Sequence, residues 1–261
     1  MLAHLSRHPM PGTEGSPKRL SVVIAVYNSE AVVGAMLDRT LAMLDRLPGG
    51  GEIVLVNDAS TDGSWDVLRR RAVEDERVVA VDLKRNVGQH QALMIGLGYS
   101  RGEYAATLDD DLQNPPEEVE HLLRQADAGH DLVFGRFRVK RHGPLRVAGS
   151  KVVTWLNRWL YGLPRDLVVS NVRLIRRDVI ERVLDWDSRR VYLTGLAITH
   201  ANSPANAVIE HSLRDGRGTY TLWRLLRLAS MIVLAHPRFP WRGSTHRQAA
   251  VRNVIGTSSV G

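Results

Sequence analysis

Residues 21–56 read SVVIAVYNSEAVVGAMLDRTLAMLDRLPGGGEIVLV. Ser21 to Val26 is a short apolar, β-branched run of the kind a buried parallel strand shows. Glu30 to Leu47 then carries apolar residues at Val33, Met36, Leu37, Leu41 and Leu44, which is helical spacing. Glu52 to Val56 is strand again. The unit repeats outward along the chain: a helix over Thr61 to Ala72 with Asp62 in its first turn, a strand over Arg77 to Leu83, and a helix over Gly88 to Tyr99. A fourth strand at Tyr104 to Leu108 leads into a helix opened by Pro115 and Pro116 and running to Gln125, since proline is tolerated in a first turn. Asp131 to Gly135 is the fifth strand. Strands joined by helical crossovers predict an α/β fold, a doubly wound and mostly parallel sheet. Sites in such sheets lie beyond the carboxyl ends of the strands.

The second half changes character. Leu145 to Tyr161 is amphipathic, with Val152, Trp155, Leu156, Trp159 and Leu160 on one stripe, and a helix lying on the core is its plain reading. Asp178 to Leu184 and Leu193 to His200 read as short helices, and Ala207 to Glu210 as a strand. Arg214 to Thr219 is a Gly-rich polar loop. The division expected is a flexible segment at 1–19, a catalytic domain at 20–220 (20–131 and 132–220 as its halves), an amphipathic helix at 221–236 lying at an interface, and a disordered tail at 237–261.

The chain has 261 residues and no cysteine, which excludes disulfides, thiolate metal sites and cysteine nucleophiles. Its formal charge is +7, unevenly spread. Residues 1–131 carry 13 basic and 21 acidic side chains, a net of −8, whereas residues 132–261 carry 22 and 7, a net of +15. From Leu132 to Arg165 there are eight basic residues and no acid. An anionic partner met by one half fits this pattern, as does a merely solvated basic face. The start of the chain has no apolar core of a secretory signal. Its longest uncharged apolar stretch near the end, Leu228 to Ala235, falls far short of the about 20 residues a spanning helix needs. No membrane crossing is expected.

The sharpest chemistry is LDDDLQNPP at residues 108–116. Three carboxylates end an apolar strand, where their repulsion is costly unless a cation compensates it. In extended chain, residues two apart point the same way, so Asp109 and Asp111 converge and Gln113 continues the period. Hard oxygen ligands of this kind suit Mg²⁺ or Mn²⁺, which bridge substrate phosphates. A solvated acidic turn capping the next helix is the plainer alternative. Other strand ends line up with this one: Tyr27 and Asn28 after the first strand, Asp58 after the second, Arg85 after the third. A tyrosine there could stack on a base, an aspartate could accept from a base or ribose, and an arginine could contact phosphate, although each taken singly is more often a turn residue or helix cap.

Together SVVIAVYNSE, VLVNDASTDGS, LKRNVGQHQALMIGL and TLDDDLQNPPEEV resemble the family 2 glycosyltransferases of GT-A fold. The likeness runs from about Leu20 to Ala235 and is greatest to the polyprenyl-phosphate branch, the dolichol-phosphate mannosyltransferase and undecaprenyl-phosphate sugar transferase types. The resemblance implies that Tyr27, Asn28, Asp58, Arg85, Asp109 and Asp110 bind a UDP- or GDP-linked sugar, and that Asp109, Asp111 and Gln113 hold Mg²⁺ or Mn²⁺. It implies an acceptor-phosphate site at Arg136, Arg146, Ser150 and Arg173. Arg214 and Thr219 would belong to a loop that closes on the donor, although the loop is one residue short and Gly218-Thr219 replace the family's Ser and frequent Lys. Asp110, Asp111 and Arg136 are the catalytic candidates.

The implied reaction is an inverting, metal-dependent single displacement of a nucleoside diphosphate from an anomeric carbon. A hydroxyl acceptor needs a general base, for which Asp110 is the first choice. A phosphate acceptor needs only cationic positioning, and the acid-free stretch suits it. The leading expectation is transfer to a polyprenyl phosphate by an enzyme peripheral on the cytoplasmic membrane face, alone, as a homo-oligomer or with a membrane partner subunit. Transfer to a soluble acceptor such as a natural product or saccharide is the second, motivated by the missing spans. A non-enzymatic membrane or nucleic-acid binder is the third. No nucleic-acid partner is expected, because aromatic-interleaved basic runs are absent and only 6% of residues are aromatic.

Overall fold

An eight-stranded sheet organises the chain, in the order β7-β5-β6-β4-β1-β2-β3-β8. A computed structural model describes residues 18–138, 144–186, 191–210, 229–236 and 250–256. The elements are β1 (Leu20–Val26), α1 (Glu30–Asp45), β2 (Gly51–Asn57), α2 (Ser64–Glu74), β3 (Val78–Leu83), α3 (Gln89–Tyr99), β4 (Tyr104–Leu108), α4 (Val119–Asp127), β5 (Leu132–Phe137), α5 (Pro144–Tyr161), β6 (Arg173–Arg176), α6 (Arg177–Leu184), α7 (Leu193–His200), β7 (Pro204–Ile209) and β8 (Val251–Ile255). β1 pairs in parallel with β2 and β4, β2 with β3, and β5 with β7. β6 runs antiparallel between β4 and β5. Two reversals cancel, so the carboxyl ends of β4 and β5 share one edge with those of β1 to β3. The α/β, mostly parallel sheet expected from the sequence is the observed one.

Side-chain alternation fills both faces of the sheet. Ile53 and Leu55 of β2 join the α1 and α4 residues Val33, Met36, Leu37, Leu122 and Leu123 on one face. Val54 and Val56 join Leu93, Met94 and Leu97 of α3 and Leu196 of α7 on the other. A strand buried on both sides reads as an unbroken apolar run, which is why β1 and β2 are plain in the sequence.

Three features depart from the expectation. The Pro115-Pro116 helix begins as a 3₁₀ turn over Pro116–Glu118 before α4. β6 takes Arg173–Arg176, a stretch whose four residues hold an arginine at each end. The tail at 237–261, expected to be disordered, contains β8, which lies antiparallel on β3. The amphipathic stripe of α5 also divides. Leu156 is buried, whereas Val152, Trp155 and Trp159 are exposed, and the two tryptophan rings stack at 5.8 Å and 8°.

Of the helix expected at 221–236, residues 229–234 are helical and 221–228 lie outside the described residues. Its described end packs on the core rather than facing outward. Ile232 is buried, and the Tyr161 hydroxyl donates to the Ile232 carbonyl at 2.8 Å. Among the described residues no helix is long and apolar enough to cross a membrane. Residues 1–17, the flexible segment of the expectation but for its last two positions, lie outside the described residues.

Candidate active site

At the carboxyl edge of the sheet, three non-glycine residues adopt left-handed backbone: Asn28 (φ 52°), Ala59 (φ 55°) and Leu112 (φ 58°). They follow β1, β2 and β4 respectively. Each conformation costs about 1 kcal/mol or more, and such costs gather at functional sites. Reciprocal bonds lock the loops there. The Asn28 side-chain oxygen Oδ1 accepts from the Thr61 N–H at 2.8 Å, and the Asn28 backbone N–H donates to Ser60 Oγ at 3.1 Å. Likewise the Glu30 N–H donates to Asp62 at 3.1 Å, and the Gly63 N–H donates to Glu30 at 2.9 Å. The first turns of α1 and α2 therefore share carboxylates, which suits their positive ends.

Tyr27 is 50% exposed on this edge, and Arg85, in the turn after β3, is exposed as well. Asp58 is buried, and its two oxygens accept from the Val87 and Gly88 N–H groups at 2.7 and 2.9 Å. Burial pushes its carboxyl above the usual value, against those two bonds. It thus fixes the turn that carries Arg85 while retaining a second lone pair on each oxygen.

The three aspartates diverge in role. Asp110 accepts from the Tyr27 N–H at 3.1 Å and from the Ser29 hydroxyl, which ties the β4 loop to the β1 loop. Asp111 accepts from the Gln113 N–H at 3.0 Å in a tight turn. Asp109 accepts from Gln89 at 2.6 Å and Asn114 at 3.2 Å, with the Asn171 amide at 3.5 Å. Burial first, then the charge of Asp111, raises the Asp109 carboxyl above 3.8. Gln89, Asn114 and Asn171 were not singled out from sequence as partners of Asp109. Asn114 stands five residues after it, and the other two reach it only through the fold.

Arg173 corrects one expectation. It is 1% exposed, and its guanidinium donates to Thr107 at 3.0 Å and Thr194 at 2.6 Å. Burial pushes it down to about 10. Facing inward beneath Asp109, it is no open clamp for an acceptor phosphate. Arg136, by contrast, is exposed at the end of β5, beside Gly135, where a Cβ would meet Ile209 at 2.3 Å. Arg146 and Ser150 fall in α5, but their side chains lie outside the described residues, as do Arg214 and Thr219 entirely.

Residues 21–184 match the family model described as glycosyl transferase family 2. The chain belongs to that family. A curated relative, undecaprenyl-phosphate 4-deoxy-4-formamido-L-arabinose transferase of Yersinia pestis (strain Pestoides F), is 34% identical over 228 residues, covering 86% of this chain and 69% of the relative. The protein of that name from Shewanella sediminis (strain HAW-EB3) is 35% identical over 225 residues, 85% of this chain and 68% of its own. Among solved structures, glucosyl-3-phosphoglycerate synthase from Mycobacterium tuberculosis, in complex with Mn²⁺, UDP and phosphoglyceric acid, aligns with a TM-score of 0.60 at 16% identity. The alignment covers 84% of this chain and 77% of that one. S. aureus TarS in complex with UDP-GlcNAc aligns at 0.54 and 17% identity, over 84% and 67%. At such identities these two speak for the GT-A fold alone.

In this family 2 glycosyltransferase the acidic strand end fits a divalent cation. Asp109 and Asp111 are hard oxygen donors, and the Asp111 charge adds to the cost of ionising Asp109. Beside them the Asn114 side-chain oxygen Oδ1 is buried with no hydrogen-bond partner among the described residues. Among the described residues no group of three or more His, Cys, Asp or Glu side chains is placed to hold a metal ion.

Proposed function

We propose that the chain transfers a sugar from a nucleotide-sugar donor to a polyprenyl phosphate, with inversion, at the cytoplasmic face of a membrane. The observation that carries this is one sheet edge bearing an acidic strand end at β4 and an exposed Arg136 at β5, which opens the acid-free segment to Arg165. The names of the 34–35% identical relatives support the acceptor class.

Each residue's part follows from its place. Residues 20–131 form the donor half: exposed Tyr27 offers a ring face to the base, the Asn28–Thr61 lock shapes the nucleotide loop, and Arg85 meets the diphosphate. Asp109 and Asp111, with Gln113 beside them, would hold Mg²⁺ or Mn²⁺. Such an ion would supply positive charge against that developing on the departing nucleoside diphosphate. Residues 132–220 form the acceptor half, where Arg136, with Arg146 and Ser150, positions an acceptor phosphate. That acceptor is already anionic, so no side chain need remove a proton. Asp110, engaged by the Tyr27 N–H and Ser29, then serves the loop and not as a base. Arg214 and Thr219 are proposed to close on the donor.

Exposed Trp155 and Trp159 supply an aromatic face suited to a membrane interface. The test is an assay with undecaprenyl or dolichyl phosphate, a panel of UDP- and GDP-sugars, and Mg²⁺ or Mn²⁺. A lipid-extractable sugar product that is lost in Asp111→Asn is expected. No lipid-linked product with any donor sinks the acceptor assignment.

A further inference from the structure

The C-terminal strand β8 reaches the donor pocket through a bulge. Along β3, Asp82 pairs with Asn253 and Leu83 with Val251, so Arg252 is the extra residue with no partner across the ladder. Bulges re-aim the side chain they carry. Here Arg252 Nη1 donates to Asp82 Oδ2 at 3.3 Å. Asp82 is 2% exposed, and its other oxygen accepts from the Asn57 side-chain amide at 2.7 Å. A carboxylate only accepts, so it forces the Asn57 NH₂ toward itself and leaves the Asn57 oxygen facing the nucleotide loop. That oxygen accepts from the Ser60 N–H at 3.3 Å, and Ser60 Oγ accepts from the Asn28 N–H at 3.1 Å. The Lys84 N–H donates to the Ala250 carbonyl at 2.9 Å, which holds the entrance to the Arg85 turn from the same strand.

We propose that Arg252 is a positioning residue for the donor pocket, acting through Asp82 and Asn57 on the Ser60–Asn28 loop; this rests on the reading of that loop as nucleotide-binding. Asp82 and Asn57 face each other in register on β3 and β2, so the link crosses two strands without a gap. Without Arg252, the buried Asp82 carboxylate keeps only a neutral partner in this network. The carboxylate still holds the Asn57 NH₂ but is no longer anchored from β8, so the pair shifts together and the Asn57 oxygen draws away from Ser60. The latch, Arg252, lies outside residues 21–184, which the family model covers.

Titration calorimetry of the full chain with UDP and with GDP, each with Mn²⁺, tests this on wild type, Arg252→Met, Arg252→Lys, Ser60→Ala and the Arg252→Met/Ser60→Ala pair. Arg252→Met should weaken nucleotide binding about three- to tenfold, and Arg252→Lys, which keeps the charge, should recover most of the loss. In the Ser60→Ala background the Met substitution should cost little more, since the relay is already cut. Wild-type affinity in Arg252→Met, with or without a lower melting temperature, overturns the proposal, as do fully additive losses in the cycle. If wild type binds neither nucleotide, the donor-site reading falls and takes the latch with it. Binding that is normal and indifferent to Arg252 removes the latch alone.

Discussion

At the scale of single residues, Asp109 shows how a site is held against its own stability. Burial and the neighbouring Asp111 charge raise its carboxyl above 3.8, so the folded chain binds that proton more tightly than the unfolded one. Its contribution is therefore complete below 3.8 and is lost as pH rises through the raised value. Asp109→Asn should melt higher than wild type at neutral pH, by about 1 kcal/mol. The gain should vanish below 3.8, where both side chains are neutral. The substitution is accommodated because the Asn114 amide can turn and present its unpartnered oxygen to the new NH₂ group. Activity should fall at least about a hundredfold. Calorimetric melts across pH, paired with a transfer assay, check both halves; equal melting at every pH would show that Asp109 carries no such strain. The Asp109–Asp111 pair is legible in the sequence because a period of two needs only local geometry. Arg173 misleads for the converse reason. Its inward direction depends on Thr194, 21 residues on in the chain.

At the scale of elements, legibility follows burial. β1 to β4 are almost wholly buried and mostly apolar, and the sequence places them to within a residue or so of where they stand. β6 and β8 sit among arginines and polar residues, and they become strands only because β4, β5 and β3 present ladders to them. The α3 contact with the sheet carries a further reading. At Gly96 a Cβ would stand 2.5 Å from Val23 and 3.0 Å from Val56, both stiff, buried β-branched side chains. Alanine there gains about 1 kcal/mol of helix propensity but forces α3 off β1 and β2, an overpacking cost of about 1–3 kcal/mol. Gly96→Ala should be net destabilising. Gly34→Ala in α1, where nothing stands within 4 Å, should instead be stabilising by about 0.5–1 kcal/mol. Denaturant midpoints of the two variants measure the contrast, and a stabilised Gly96→Ala would mean that α3 does not rest on the sheet this closely.

At the scale of the whole molecule, the two halves of the sequence carry −8 and +15, and one continuous sheet presents both the acidic strand end at β4 and the exposed Arg136 at β5. On the proposed membrane reading, two forces of different range would act at an anionic lipid surface. Coulomb attraction is cut as salt rises from about 0.1 to 1 M, since the screening length falls from about 10 to 3 Å. Apolar transfer of Trp155 and Trp159 is not screened, and each is worth about 1.5–3 kcal/mol when fully buried in the interface. Sedimentation with phosphatidylglycerol vesicles should accordingly show binding that weakens with salt to a floor rather than to zero. Trp155→Ala/Trp159→Ala should lower that floor by about a hundredfold while leaving the salt-dependent part in place. Phosphatidylcholine vesicles should show the floor alone. Binding that disappears altogether at high salt in the wild type would leave the stacked tryptophans without a part in membrane contact, and binding unaffected by salt would do the same for the basic flank.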